Sequence, residues 1–572
     1  MGKYKTVALG GSEVAVDVKG LNCDIRNDSA DVVYASAAPD VKAGADGVLA
    51  VPAGQSAKLL GSGGRVYLLG TGSVQLCGND HAEAVFKSAL GGGGGSGVDQ
   101  TARNAITALT ETVADNSAAI AAINDSENGI LSRSRAYTDA ALSELEAFIG
   151  YTEEDIYGVE VDFVNGSFTR LAGAVGKSAG ADFDGIAAFG GRRRCNLTDD
   201  GAVTAYYGDD AFTAAGALAA AVTVGGKTYP VGTAVQVMVE QPKFYYRVVP
   251  LDVEKTAQGA LTRRVRYYVS DSPKAGFRLH PAFIENGKEN DVIYLSAFEG
   301  SLWDSSAAAY VTDDAQVADT ASDKLSSIGG VLPASGLSQQ LTRANARRLA
   351  ENRGSGWELS YAATLCATEL LMLVEHASFN MQTAIGNGNV SKTDDGKTNM
   401  CELTGCTLSL GNATGTAQGS GAEVVSYRGE ENLWGDQWTF VDGMNNKVDT
   451  AAGEFLLTIA DHDFADEGND AYAAVPITPA QKTGYISAFC YCEEYDWLFV
   501  GGECSGNSAL PVGDYFYQAS ASGSKVAVFG GKWYYKTFAG AFCLNISSST
   551  SSCDRSIGGR TVFVPSKREV SA

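Results

Sequence analysis

Apolar and polar residues alternate in short runs over the first 88 positions. The runs are Lys5 to Leu9, Glu13 to Val18, Asp31 to Ala35, Ala57 to Leu60, Gly64 to Leu69 and Ser73 to Leu76, with Gly, Asn and Asp between them. A period of two bounded by turn residues predicts strands, so residues 1–88 read as a small β-sandwich or barrel. Residues 89–97 contain five consecutive glycines, Gly91 to Gly95. Such a run holds no fixed conformation cheaply and predicts a hinge. No Lys-Ser/Thr follows it, which removes a nucleotide-binding loop.

The period changes over residues 98–150. Ile106, Val113 and Ile120 share one heptad position, and Leu109, Asn116, Ile123 and Ile130 share the other. Isoleucine at both seam positions favours three strands, and an asparagine in the seam fixes register. Leu131, Leu142, Leu145 and Ile149 need a different frame, which places a break near Asp125 to Gly129. This pattern predicts a parallel trimeric coiled coil; an amphipathic helical hairpin is the alternative.

Strand patterns return from Val159, notably Val235 to Val239 continuing into Phe244, Tyr246 and Val248, and Arg263 to Val269. Residues 151–330 therefore read as β-rich. In residues 331–572, Thr342 is placed to cap a helix through Ala350, and Ser360 to cap a second with Leu365, Met372, Leu373 and His376 on its apolar face. A strand from Tyr485 to Cys490 leads into the C-terminal segment. The fold class is α+β and multidomain.

Composition changes the picture in three ways. The chain has 572 residues, too many for one core. Its 43 Lys and Arg against 67 Asp and Glu leave a net charge of −24, which argues against nucleic acid and anionic membranes as partners. Within this acidic chain, Arg192 to Arg194 read as a local salt-bridging cluster. No apolar stretch approaches 18 residues, so neither a signal segment nor a membrane span is expected. The 11 cysteines, an odd number without a Cys-x-x-Cys pair, read as mostly buried thiols of a protein made in bacterial cytoplasm, with a Cys401–Cys406 disulfide left open.

Chemistry-bearing motifs are sparse. The four histidines lie far apart, Asp461-His462-Asp463 reads as a solvated loop, and His376 as a hydrogen-bonded core residue. Adjacent carboxylates at Asp209-Asp210, Asp313-Asp314 and Glu493-Glu494 arise from composition alone. Trp434 and Trp438 suit a core better than a sugar platform. No catalytic residue, metal site or cofactor is expected.

The most informative stretch runs from Leu498 to Pro565. Val526, Val528, Trp533, Ala539 to Phe542, Ile557 and Val562 to Val564 suit a framework. Between them, Phe516, Tyr517, Lys532, Tyr534, Tyr535, Lys536, Phe538, Asn545, Ser547, Ser548, Ser552 and Asp554 suit a contact surface of aromatic anchors and small adaptable polar groups. Gly530-Gly-Lys-Trp533, Ala539-Gly-Ala-Phe542 and Gly558-Gly-Arg560 resemble the variable segment of phage tail proteins with a C-type-lectin-like fold, the formylglycine-generating-enzyme-like branch. Gln241 to Tyr246, Gly276 to Pro281, Leu341 to Asn345 and Asn432 to Trp438 resemble its framework, so the resemblance covers roughly residues 151–565.

The resemblance implies a tail-fibre receptor-binding protein of the virion. The contact residues named above would touch a host bacterial surface receptor, protein or glycan. The N-terminal domain would attach to the phage tail or baseplate, and the chain would be a homotrimer. Relatives are rewritten by diversity-generating retroelements; Lys532 and Lys536 lie outside the usual palette of that process. The enzyme branch uses a reactive cysteine pair, and no matching pair occurs here; Cys543 and Cys553 read as lying in exposed segments. The competing readings are a tailspike enzyme cleaving host polysaccharide and a bacterial surface adhesin.

Overall fold

The computed structural model describes residues 5–79, except 11–12, 18–21, 29, 37–48, 54, 60–64 and 70, and residues 153–565, except 257–258 and 338–339. The glycine hinge, the heptad region and His81 lie outside the described residues. The chain divides into two compact units, residues 1–119 and 120–572.

The first unit contains two four-stranded antiparallel sheets. One has the order Lys5–Gly10, Thr71–Asn79, Asn22–Asn27, Ser56–Leu59; the other Val14–Asp17, Arg65–Leu69, Val33–Ser36, Leu49–Val51. Leu9 and Ile25 of the first sheet, and Val16, Val33, Val51, Val66 and Leu68 of the second, are buried. Asn22–Asn27 was not legible as a strand, because Asn and Asp disfavour strands. It forms because it pairs on both sides, with Thr71–Asn79 and Ser56–Leu59, and buries Ile25 completely.

The second unit is dominated by β-sheet, and residues 151–330 and 331–572 build it jointly. A six-stranded sheet runs Val203–Tyr206, Arg193–Thr198, Val235–Pro242, Val292–Ser296, Thr561–Phe563, Trp357–Leu359. Its Val562 pairs with Leu295 on one side and Glu358 on the other, so the C-terminal strand lies inside a sheet whose first strand in the chain begins at Arg193. A seven-stranded sheet is built on the long hairpin Tyr245–Thr256 and Gly259–Ser270, extended by Tyr157–Asp162, Ser167–Ala172 and Arg278–Leu279, with Ala488–Tyr491 and Gly501–Glu503 attached. An eight-stranded sheet carries the C-terminal segment: Ala473–Ala474, Glu454–Ile459, Trp438–Asp449, Gly523–Gly530, Gly540–Ser549, Tyr515–Tyr517 and Gly484–Tyr485 in that order, with Ile557–Gly558 beside Trp438–Asp449.

The helix Ala362–His376 lies at the centre. Every residue from Ala362 to Glu375 is buried, so it has no solvent face, beyond what an apolar stripe predicts. Leu370 and Leu373 share one core with Val161 and Val265 of the seven-stranded sheet, Val239 and Leu295 of the six-stranded sheet, and Val441, Phe529 and Phe542 of the eight-stranded sheet. Its N-cap is Tyr361, one residue past the expected Ser360. Thr364 Oγ1 accepts the Tyr361 N–H at 3.1 Å and donates to the Tyr361 carbonyl at 2.8 Å, doing the work expected of a serine. The helix Arg343–Glu351 is capped as expected, by Thr342 Oγ1 accepting from Asn345 N–H at 3.2 Å.

Two members of the arginine cluster, Arg192 and Arg194, are buried braces, and Arg193 is exposed. Arg192 ion-pairs with Glu430 and donates to Gln241 Oε1 at 2.6 Å. Arg193 pairs with Glu240 at 2.8 Å. Arg194 makes no ion pair among the described residues; it donates to the carbonyls of Gly429 and Thr407, each at 2.8 Å. His376 differs from expectation: its buried Nε2 has no hydrogen-bond partner among the described residues, and burial pushes its pKa down to about 4. The nine cysteines of the second unit are free thiols, Cys401 and Cys406 included.

Candidate functional site: an aromatic face on the C-terminal sheet

The site begins with a turn that only glycine permits. Gly530 and Gly531 both adopt positive φ, 92° and 86°. A Cβ on Gly531 would lie 2.6 Å from that of Ala539. The chain therefore doubles back between Gly530 and Gly540, whose strands pair there, and the intervening residues form a tight loop.

Main-chain bonds hold this loop to the framework. Trp533 N–H donates to the Asp436 carbonyl at 2.9 Å, and Lys392 N–H donates to the Trp533 carbonyl at 2.8 Å. Lys536 N–H reaches the Val390 carbonyl at 2.8 Å, and Gln382 Nε2 reaches the Lys536 carbonyl at 3.0 Å. Trp533 is wholly buried; its indole N–H donates to Asp394 Oδ1 at 3.1 Å, and Arg555 lies over its ring at 5.3 Å. Arg560 is buried too and donates to the carbonyls of Ser296, Glu431 and Asn432, tying the Gly-Gly-Arg and Asn-Leu-Trp segments together. None of these bonds uses the side chains of Tyr534, Tyr535 or Phe538.

Those side chains gather over Trp438. Tyr535 and Tyr517 both meet the Trp438 ring edge-on, at 5.6 and 5.7 Å. Tyr534 packs on Tyr535 at 5.3 Å, and Lys532 Nζ sits 4.8 and 5.1 Å from these two rings. Phe538 packs on Tyr515 at 4.6 Å, Tyr515 on Tyr517 at 4.9 Å, and Tyr485 on Tyr515 at 4.9 Å. Tyr485 also hydrogen-bonds Thr537 at 2.7 Å between oxygens. Burial pushes up the phenol pKa of Tyr515, Tyr517 and Tyr535, so each remains a neutral hydroxyl near pH 7. The result is a continuous face of rings. Phe538 is 42% exposed, Lys536 is exposed, and Tyr485, Tyr515, Tyr517, Tyr534, Tyr535 and Lys532 are half-buried.

Not every expected residue reaches this face. Phe516 is fully buried and is a core residue, because in the strand Tyr515–Tyr517 alternate side chains point to opposite faces. The same alternation brings up Tyr515, which sequence reasoning missed; Tyr485 had no comparable signal. Asn545 pairs with Tyr517 across the ladder, but its Oδ1 accepts from Ser547 N–H and Oγ–H at 2.8 and 2.7 Å. Ser547 and Ser548 lead away from the rings: Ser548 pairs with Val526, and the strand places it roughly 25 Å of chain beyond Gly540. Asp554 is exposed, and its Oδ1 accepts from Ser556 N–H at 2.9 Å. Ser552 is half-buried in the same turn, which joins the face only through Lys532 Nζ donating to Ser556 Oγ at 3.1 Å. Cys543 is buried, not exposed, with its thiol directed at the Phe538 carbonyl at 3.0 Å; Cys553 is exposed. Trp434 and Trp438 are both buried.

Beneath the face lie two buried acids. Asp514 Oδ2 accepts from Phe542 N–H at 2.7 Å, and a side chain on Gly540 would collide with the Asp514 carboxyl. Burial pushes Asp514 up to about 8 and, with the neighbouring Asp514 charge, Glu369 up to about 8. Among the described residues, no group of three His, Cys, Asp or Glu is arranged to hold a metal ion, and no helix is long and apolar enough to cross a membrane.

No protein-family model and no curated protein matches the chain. Some solved structures do. The Major Tropism Determinant I1 variant is 12% identical, with 71% of this chain and 94% of that chain covered and a TM-score of 0.25. The U1 variant is 13% identical over the same shares, also at 0.25, and the P3c variant is 13% identical over 65% and 71%, at 0.22. Scores of this size establish no common fold, and the site is read from its own residues.

Proposed function

We propose that the chain is a bacteriophage tail receptor-binding protein that attaches the virion to a host bacterial surface through the aromatic face of its C-terminal unit. The observation that carries this reading is the division of labour in residues 530–542. The backbone and Trp533 are fixed by framework bonds, while the side chains of half-buried Tyr534 and exposed Lys536 and Phe538 make no hydrogen bond among the described residues. Exposed aromatic rings on a rigid support are what binding surfaces require: large contact area with little rotamer entropy to lose. The resemblance of the Gly-Gly-x-Trp, Ala-Gly-x-Phe and Gly-Gly-Arg segments to variable phage tail proteins supplies the host context. In this reading the unit has the C-type-lectin-like fold, residues 98–150 form the trimeric coiled coil, and the N-terminal unit joins the tail.

Binding, not cleavage, is the activity. The test is to incubate labelled full-length protein with host cells. Saturable labelling without release of reducing sugar supports the proposal; time-dependent sugar release identifies a tailspike enzyme instead.

A further inference from the structure

Two clefts lie along the hairpin Tyr245–Thr256 and Gly259–Ser270. The first, of about 390 Å³, contains Arg263, whose guanidinium is already neutralised by Glu254 and Glu503, each at 2.7 Å. The second, of about 430 Å³, is different. Arg247 and Arg278 flank a wall of Val248, Val249 and Pro250, with Tyr491 alongside. Arg278 is committed: it donates to Asp496 Oδ1 at 2.5 Å and to the Glu493 carbonyl at 3.1 Å. Asp496 is buried and also accepts from Tyr246 OH at 2.9 Å. Arg247 is half-buried, and its guanidinium has no hydrogen-bond or ion-pair partner among the described residues.

The local backbone favours this arrangement. Gly276, at φ +76°, lies against the Arg247 guanidinium; a Cβ there would stand 3.2 Å from Cζ. The strand register shifts between Pro250 and Asp252, a bulge that re-aims neighbouring side chains, as bulges beside binding sites do.

We propose that this cleft binds a carboxylate-bearing ligand of sugar size, with uronic-acid chemistry, clamped by Arg247. Three features fit that class. The free guanidinium presents a planar fork that matches one carboxylate in two hydrogen bonds. The volume lies within the range of small-molecule sites, about 300–1,000 Å³. Arg278 is spent on Asp496, so Arg247 is the uncommitted positive charge facing the cleft, and with Glu493 also lining it one negative charge is matched better than the two of a dianion such as phosphate. The site is separate from the aromatic face and does not depend on the receptor-binding reading.

The test is calorimetric titration of the full chain at low salt with D-glucuronate, D-glucose and inorganic phosphate. Glucuronate is expected to bind saturably, glucose not at all, and phosphate at least tenfold more weakly. Arg247→Lys, which keeps the charge and loses the fork, should weaken glucuronate at least tenfold, and Arg247→Ala should abolish binding, both with unchanged melting temperature. Tyr534→Ala should bind glucuronate as the unaltered protein does. Absence of glucuronate binding, equal affinity for phosphate, or binding that survives Arg247→Ala overturns the proposal.

Discussion

Asp514 should make the C-terminal unit less stable as pH rises through the neutral range, and Asp514→Asn should remove that loss. The carboxyl is buried with one main-chain donor and a pKa near 8. In the unfolded chain an aspartate titrates near about 3.9. Below about pH 4 both states are protonated and the residue contributes nothing. Between about pH 4 and 8 the unfolded chain releases its proton while the folded chain keeps it. Stability therefore falls by about 1.4 kcal/mol per pH unit, some 4 kcal/mol by pH 7, and levels off above about 8. Asparagine keeps the acceptor for Phe542 N–H and has no proton to lose. Relative to the unaltered chain, Asp514→Asn should gain about 3 kcal/mol between pH 5 and pH 7. All six tryptophans lie between Trp303 and Trp533, so their fluorescence in urea titrations reports this unit alone. A stability difference that is the same at pH 5 and pH 7 would show that Asp514 is already ionised in the folded protein, and would refute the reasoning. Glu369→Gln should act in the same direction, since Glu369 is buried beside Asp514 with a similar shift.

Other consequences follow from the framework and the N-terminal region. Trp533→Ala should cost about 3–5 kcal/mol, because it removes a wholly buried ring and its indole bond to Asp394, while the Asp394–Arg555 ion pair stays; the same urea titrations read it. Gly540→Val should cost more than a usual overpacking change of about 1–3 kcal/mol, since a Cβ there would stand 2.0–2.2 Å from the buried Asp514 carboxyl; soluble yield and unfolding midpoint report it. Light scattering on the intact chain should give three subunits, and a stable monomer at micromolar concentration would remove the coiled coil assigned to residues 98–150.

Local signals in the sequence mapped well onto local structure. The Thr342 cap, the strands around Val235 and Arg263, and the framework role of Trp533 follow from periodicity and turn residues, which act over a few positions. What was not legible depends on distant partners. Asn22–Asn27 is a strand because neighbours on both sides complete its hydrogen bonds, against its own propensity. Arg560 is buried because carbonyls of Glu431 and Asn432 await it some 130 residues away in sequence. The proposed contact face is half legible. Tyr534, Tyr535 and Phe538 stand out as aromatics in a turn-rich segment, but grouping Phe516 with Tyr517 neglects the period of two, which turns Phe516 inward and Tyr515 to the face of Tyr517. The serines and Asp554 were grouped with the rings by sequence proximity, whereas the Gly540–Ser549 strand carries Ser548 away from them.

The structure also refines which residues probe the face cleanly. Tyr535 is half-buried against Trp438 and Tyr517, so its removal alters packing as well as contact. Tyr534 and Phe538 are better probes. The most direct measurement is the affinity of the full-length protein for host cells, compared with that of Tyr534→Ala and Phe538→Ala. Phe538→Ala, at an exposed ring, should change folding stability by no more than about 0.5 kcal/mol, and Tyr534→Ala, at a half-buried ring away from Trp438, by no more than about 1 kcal/mol. Each should nevertheless weaken binding by about 2 kcal/mol, roughly thirtyfold, if its ring is a central contact. Melting temperatures near that of the unaltered protein together with lost adsorption are the predicted result. Variants that remain folded and bind host cells with unchanged affinity would contradict the aromatic face as the receptor-binding surface.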